Sequence, residues 1–163
     1  MATDIRQIAS WLQPRDILLD ADVPDRQRAL EAAAAVIGTA HGLDPAPVFR
    51  ALWRREQAGS TGLGEGFAIP HARIDGIARP FTVFMRTRRA LPFEAPDARP
   101  VSQLLVIVAP MDGDKEDHLE LLALVAQLFA DCRFRKQLDA AADAATAAAA
   151  FAAGIARITA GLS

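Results

Sequence analysis

Cysteine is all but missing. Cys132 stands alone among 163 residues, which excludes an internal disulfide and any thiolate metal cluster and suits a reducing compartment. An excess of either charge is missing too: 18 Lys and Arg face 20 Asp and Glu, a net charge of −2. No global field therefore awaits a phosphate backbone, and a protein that coats nucleic acid is disfavoured. Long apolar runs are also absent. The longest uncharged stretches, Val101 to Met111 and Ala144 to Ala156, fall well short of the ~20 residues that cross a bilayer. Met1 to Leu12 lacks the basic start and apolar stretch of a secretion signal, and Asp4 and Arg6 interrupt it. These absences lead to the expectation of a cytoplasmic protein with no membrane insertion. What is present is a composition 52% apolar and 23% charged. Such a chain can offset its ordering entropy, and its length suits one compact domain over residues 1–163 with its own core.

Prolines recur at intervals too short for separate domains, and no repeat or linker is visible. Ile5 to Leu12 reads as one or two helical turns, and Asp16 to Leu19 as a short strand. Asp25 opens a helix to about Ala40, with Leu30, Ala34 and Ile37 on one face and His41-Gly42 closing it. Asp44 caps a second helix in which Val48, Leu52 and Glu56 mark successive turns, ended by Gly59. The middle of the chain then changes character. Phe67 to Ile69, Phe81 to Met85 and Gln103 to Ala109 are short runs rich in β-branched and aromatic residues; Leu104 to Val108 is apolar on both faces, as a strand covered on both sides must be. After Pro110 the helical period returns, with Leu121, Leu122, Val125, Leu128 and Phe129 in one stripe, followed by an alanine-rich helical region from Arg133 to about Ala153. The pattern predicts an α/β fold with helices on both faces of the sheet.

Three histidines are candidates for chemistry near neutral pH. His41 ends a helix, where an imidazolium suits the carbonyl terminus, so its expected role is structural. His71 follows Gly59 to Gly66, a segment with four glycines in eight residues. Backbone N–H groups in such a loop can approach an anion, and Ser60 and Thr61 add hydroxyls. His118 lies in the first turn of a helix capped by Asp114, with Asp117 in capping-box position. That setting disfavours a protonated ring, so a neutral His118 could hydrogen-bond a bound phosphoryl group; simple packing in the first turn is the alternative. Known motifs fail on this loop. The third glycine of a dinucleotide fingerprint is Phe67, and no lysine follows Gly64 as a nucleotide P-loop requires. Asp112 to Glu116 misses the glycine and bidentate glutamate of a calcium loop, no histidine pair has metal spacing, and there is no nucleophile elbow. Neither a metal nor a cofactor is implied. What remains is an imidazole, backbone and hydroxyl donors, and two nearby guanidinium groups, Arg55 and Arg73. That is equipment for holding a phosphoryl group on a histidine.

The run Arg54-Arg55-Glu56-Gln57-Ala58-Gly59-Ser60-Thr61-Gly62-Leu63-Gly64-Glu65-Gly66-Phe67-Ala68-Ile69-Pro70-His71-Ala72-Arg73 closely resembles the signature of the fructose/mannitol/nitrogen-type IIA proteins of the bacterial phosphoenolpyruvate phosphotransferase system. Lys115 to Ala126 resembles the segment that carries their second histidine, and the likeness extends over nearly the whole chain. The resemblance implies a mixed sheet sandwiched by helices. It also implies that His71 accepts a phosphoryl group at Nε2 from an HPr-type carrier, with His118 and Arg55 at the same site. Ser60, Thr61 and Gly62 would then be phosphate-binding. Two departures stand out: Ala72 for the usual glycine and Phe67 for a smaller aliphatic residue. Neither removes a phosphate-handling group.

Within the family the acceptor would be either regulatory target proteins, in the nitrogen type, or a IIB domain, in the sugar-specific type. The N-terminal pattern, from Ile5 through Leu43, is more similar to the nitrogen type. A degenerate module that only binds is a separate reading, which intact Arg55, His71 and His118 argue against. Arg86, Arg88 and Arg89 lack interleaved aromatics and read as a solvated strand edge, not a nucleic-acid surface. Cys132, between two helical segments, reads as packing or incidental.

Overall fold

The computed structural model describes residues 12–161; of the expected turns Ile5 to Leu12, all but Leu12 lie outside the described residues. A 3-10 turn, Pro14–Asp16, leads into β1 (Ile17–Ala21). Helix α1 (Arg26–His41) begins where Asp25 accepts the Arg28 N–H at 2.8 Å and ends at Gly42, which is left-handed at φ 71°. Helix α2 (Pro45–Ala58) starts with Pro45 after its cap Asp44, a position where the missing N–H costs nothing. Three short strands follow, β2 (Gly62–Gly64), β3 (Phe67–Ala68) and β4 (His71–Ile74), then the long β5 (Phe81–Leu91) and β6 (Val101–Pro110). Helices α3 (Lys115–Ala130), α4 (Cys132–Ala140) and α5 (Ala144–Ala160) complete the described chain.

The strands form one mixed sheet in the order β1-β5-β6-β3-β2, with β4 also on β6. β5 and β6 are antiparallel, whereas β1 runs parallel to β5, and β3 and β4 parallel to β6. β3 and β4 lie end to end on the same edge of β6: Ala68 pairs with Leu104, and His71 with Ile107. Side chains alternate across β6. Leu105 and Ile107 join the core under α3, α4 and α5, while Leu104, Val106 and Val108 join the core under α1 and α2. Both faces of β6 are thus buried, and this is why it reads as an unbroken apolar run. On the α3 side, Phe129, Phe134 and Phe151 meet edge to face at centroid distances of 4.9 to 6.2 Å, each contact adding ~0.5–1.5 kcal/mol beyond area burial.

Four expectations change. The alanine-rich region is two helices, because Asp143 accepts the Thr146 N–H at 2.7 Å and starts a new one. The junction is held from below: Arg86 donates to the Leu138 and Ala141 carbonyls at 2.9 and 2.8 Å. Arg86 therefore sits in an interior strand as a helix anchor, not on a solvated edge, while Arg88 and Arg89 lie beside Asp22. Cys132 is exposed at the first residue of α4, which removes packing and leaves the incidental half of the expectation. His41 is structural, but through a different contact from the one expected. Its Nε2 lies 2.8 Å from Asp16 Oδ1 and its ring rests on Phe81 at 4.4 Å. Among the described residues no helix is long and apolar enough to cross a membrane.

Candidate functional site

The site begins where two strands fail to join. β3 stops at Ala68 and β4 starts at His71, and the gap is Ile69-Pro70. Ile69 N–H leaves the sheet edge for the Thr61 carbonyl at 3.0 Å, while the Pro70 carbonyl accepts Ile107 N–H at 2.9 Å. His71 is thus the first residue of a fresh strand, in register with Ile107, and shares that residue's face towards α3. Ala72 points the other way and is buried among the α1–α2 core residues.

His71 Nδ1 is 2.8 Å from the Ile69 carbonyl. A carbonyl only accepts, so Nδ1 carries the hydrogen and the neutral ring keeps its lone pair on Nε2. Burial lowers the pKa of His71, the Ile69 bond opposes it in part, and the Arg55 charge adds a smaller lowering effect. The ring is therefore neutral at pH 7. His118, in the first turn of α3, faces it at 5.6 Å between centroids and 56° between planes. Burial, then the neighbouring His71 and Arg73, push His118 down to about 4. Its Nδ1 is buried without a hydrogen-bond partner. A lone pair is tolerated there better than an orphaned N–H, so the hydrogen of the neutral ring belongs on Nε2.

The two arginines differ. Arg55, half-buried in the last turn of α2, donates to the Gly59 carbonyl at 2.8 Å, and its charge reaches His71. Arg73 turns back onto the β6–α3 connection, where it donates to the carbonyls of Pro110, Met111 and Gly113.

The glycine-rich segment is a hairpin, not an open anion loop. β2 and β3 pair antiparallel, and Glu65 (φ 56°) and Gly66 (φ 88°) make the turn, two positive φ angles in succession that favour glycine at the second. Its donors are engaged within the protein. Ser60 Oγ donates to the Phe93 carbonyl, Thr61 Oγ1 donates to Glu56 Oε2 at 2.6 Å, and Gly62 N–H donates to Ser60 Oγ at 3.1 Å. Ser60, Thr61 and Gly62 thus hold the segment's shape. Gly62 has a further reason to be glycine: a Cβ there would stand 2.8 Å from that of Ala95.

Glu56 is the residue that sequence reasoning passed over. Only 2% exposed, it accepts from both Thr61 N–H (3.2 Å) and Thr61 Oγ1, and Arg26 Nη1 lies 3.9 Å away. The signal was available, since a carboxylate falls in line with Val48 and Leu52 on the stripe α2 buries. The structure thus brings His71, His118, Arg55 and Arg73 to one end of the sheet and places Glu56 beneath the approach to it.

One imidazole at a strand start faces another in a helix's first turn, and the class follows from the sequence as a whole: the chain belongs to the family described as "Phosphoenolpyruvate-dependent sugar phosphotransferase system, EIIA 2", whose model matches residues 10–153. Within that family it is similar to the nitrogen regulatory protein of Bradyrhizobium diazoefficiens, at 35% identity over 84% of this chain and 89% of that one. The crystal structure of nitrogen regulatory protein IIA-Ntr from Neisseria meningitidis superposes with a TM-score of 0.82 at 35% identity, covering 89% of this chain and 99% of that one. IIA mannitol from Escherichia coli shares the fold, with a TM-score of 0.72 at 18% identity over 86% of this chain and 98% of that one. The chain is a component of the phosphotransferase system, and relatives it matches at 35% identity carry the name nitrogen regulatory protein.

Proposed function

We propose that His71 accepts a phosphoryl group on Nε2 from an HPr-type carrier, and that the phosphorylation state of this protein is then read by regulatory targets. The observation that carries this reading is the Nδ1 contact to the Ile69 carbonyl. It fixes the tautomer with the lone pair on Nε2, while burial keeps that lone pair unprotonated at neutral pH. Phosphoryl transfer asks mainly for in-line positioning and neutralised oxygen charge. His118, with its hydrogen on Nε2, offers a donor to one phosphoryl oxygen, and Arg55, released from Gly59, offers a guanidinium fork to others. Ser60, Thr61 and Gly62 act by holding the segment that ends in His71, rather than as phosphate ligands. Delivery to a IIB domain is the second reading, supported by the fold shared with a mannitol IIA protein.

The test is a reconstituted relay of phosphoenolpyruvate, enzyme I, HPr-type carrier and this protein, read by intact mass. The expected adduct is labile in acid, stable in mild alkali and absent from His71→Ala. An adduct that persists in that variant would refute the assignment.

A further inference from the structure

We propose that Arg73 is a positioning residue for His118: by clamping the turn between β6 and α3 it decides where the second imidazole stands relative to the first. The inference rests on the proposed phosphoryl transfer at His71 and deepens it.

Arg73 lies two residues beyond His71 on the same strand, in register with Ala109, and so shares the His71 face. Its guanidinium reaches forward to three carbonyls of the turn that follows β6. Nε donates to Pro110 at 3.4 Å, and Nη2 donates to Met111 at 2.9 Å and to Gly113. Those residues lead directly into Asp114, the cap of α3, whose carbonyl accepts the His118 N–H at 3.1 Å. One side chain therefore ties the strand that begins with His71 to the helix turn that carries His118. The planar fork suits this task, since it can serve several acceptors from one fixed geometry, which an ammonium cannot.

The same placement has an electrostatic consequence. A cleft of about 330 Å³ beside His118 is lined by Arg73 together with Asp112, Asp114 and Asp117. Burial does most to keep His118 neutral, and the neighbouring His71 on β4 and then the Arg73 charge push the same way, with the three carboxylates lining the cleft beside it. Removing the cation takes away one of these depressing effects. His118 would then titrate higher and sit less firmly.

Two variants separate position from charge: Arg73→Met removes both, and Arg73→Lys keeps the charge without the fork. His118 titration, followed by NMR in the unphosphorylated protein, needs no phosphodonor, so it stands apart from the fate of the proposed function. We expect its midpoint to rise in Arg73→Met and to stay low in Arg73→Lys. Phosphoryl acceptance should slow about 10- to 100-fold in both variants, the scale on which a ~1 Å misplacement acts. It should slow no further when either is combined with His118→Ala, because the arginine works through that ring. An unmoved midpoint in Arg73→Met, wild-type transfer in Arg73→Lys, or a full second loss in the His118→Ala background would each overturn the proposal. If Arg73→Met does not fold, Arg73→Lys alone and with His118→Ala carries the test.

Discussion

Replacing Glu56 by alanine is the sharpest probe of how the His71 segment is held. The carboxylate is buried and accepts two hydrogen bonds from Thr61, one from the backbone and one from the hydroxyl at 2.6 Å. Deleting it leaves both donors without their acceptor in a buried setting, each worth ~1–3 kcal/mol, and leaves Arg26 without its buried counter-charge at 3.9 Å. A gain of a few tenths of a kcal/mol from alanine's helix propensity offsets little of this. Breaking one side of such a network costs about 3–5 kcal/mol, which in a domain of this size lowers Tm by roughly 6–20 °C. Calorimetry and urea unfolding would measure the loss. Thr61→Val should show a smaller one, since the backbone contact survives. The Thr61 carbonyl receives Ile69 N–H, so the displacement should travel to His71 and slow its phosphorylation in the fraction that stays folded. Stability within ~1 kcal/mol of wild type, with transfer unchanged, would refute the idea that Glu56 anchors the segment.

Further outcomes follow from the same geometry. Gly62→Ala puts a methyl 2.8 Å from Ala95 Cβ and should cost ~1–3 kcal/mol by overpacking, seen as a lower urea midpoint; an unchanged midpoint would contradict that fit. Stability should fall with acidification. Both site imidazoles titrate lower in the folded protein than the ordinary 6.5, His118 at about 4. The unfolded chain therefore binds more protons below pH 6.5, and unfolding free energy declines from there until the folded values are passed. Urea midpoints at pH 7, 6 and 5 check this, and a flat profile would contradict it. Arg55→Lys should leave the fold intact and slow phosphoryl acceptance about tenfold by losing the planar fork, as timed by intact mass.

Much of the scaffold could be read in advance, where the local signal and the tertiary outcome agree. Asp25, Asp44 and Asp114 each cap the helix that follows them. The run from Leu104 to Val108 is buried on both faces, as its composition required. The misses lie where the structure is set by pairings that local propensity does not announce. β2 is mostly glycine and gains its identity only by pairing with β3, and β4 has four residues directly after a proline. The break between α4 and α5 hides in alanine until Asp143 is seen capping and Arg86 is seen reaching across from β5. At the site, the His71 and His118 motifs were visible, but the inward commitment of the Ser60 and Thr61 hydroxyls was not. Their acceptors are Phe93, on a remote connection, and Glu56, concealed within a helical stripe. No local rule pairs them.

The most direct measurement of the central claim is the position of the phosphoryl group on the ring. After loading from phosphoenolpyruvate through enzyme I and an HPr-type carrier, nitrogen NMR of labelled protein distinguishes the two imidazole nitrogens. The account predicts phosphorylation of His71 at Nε2, with Nδ1 still protonated and bound to the Ile69 carbonyl. A phosphoryl group on Nδ1 of His71, or on His118, would contradict it.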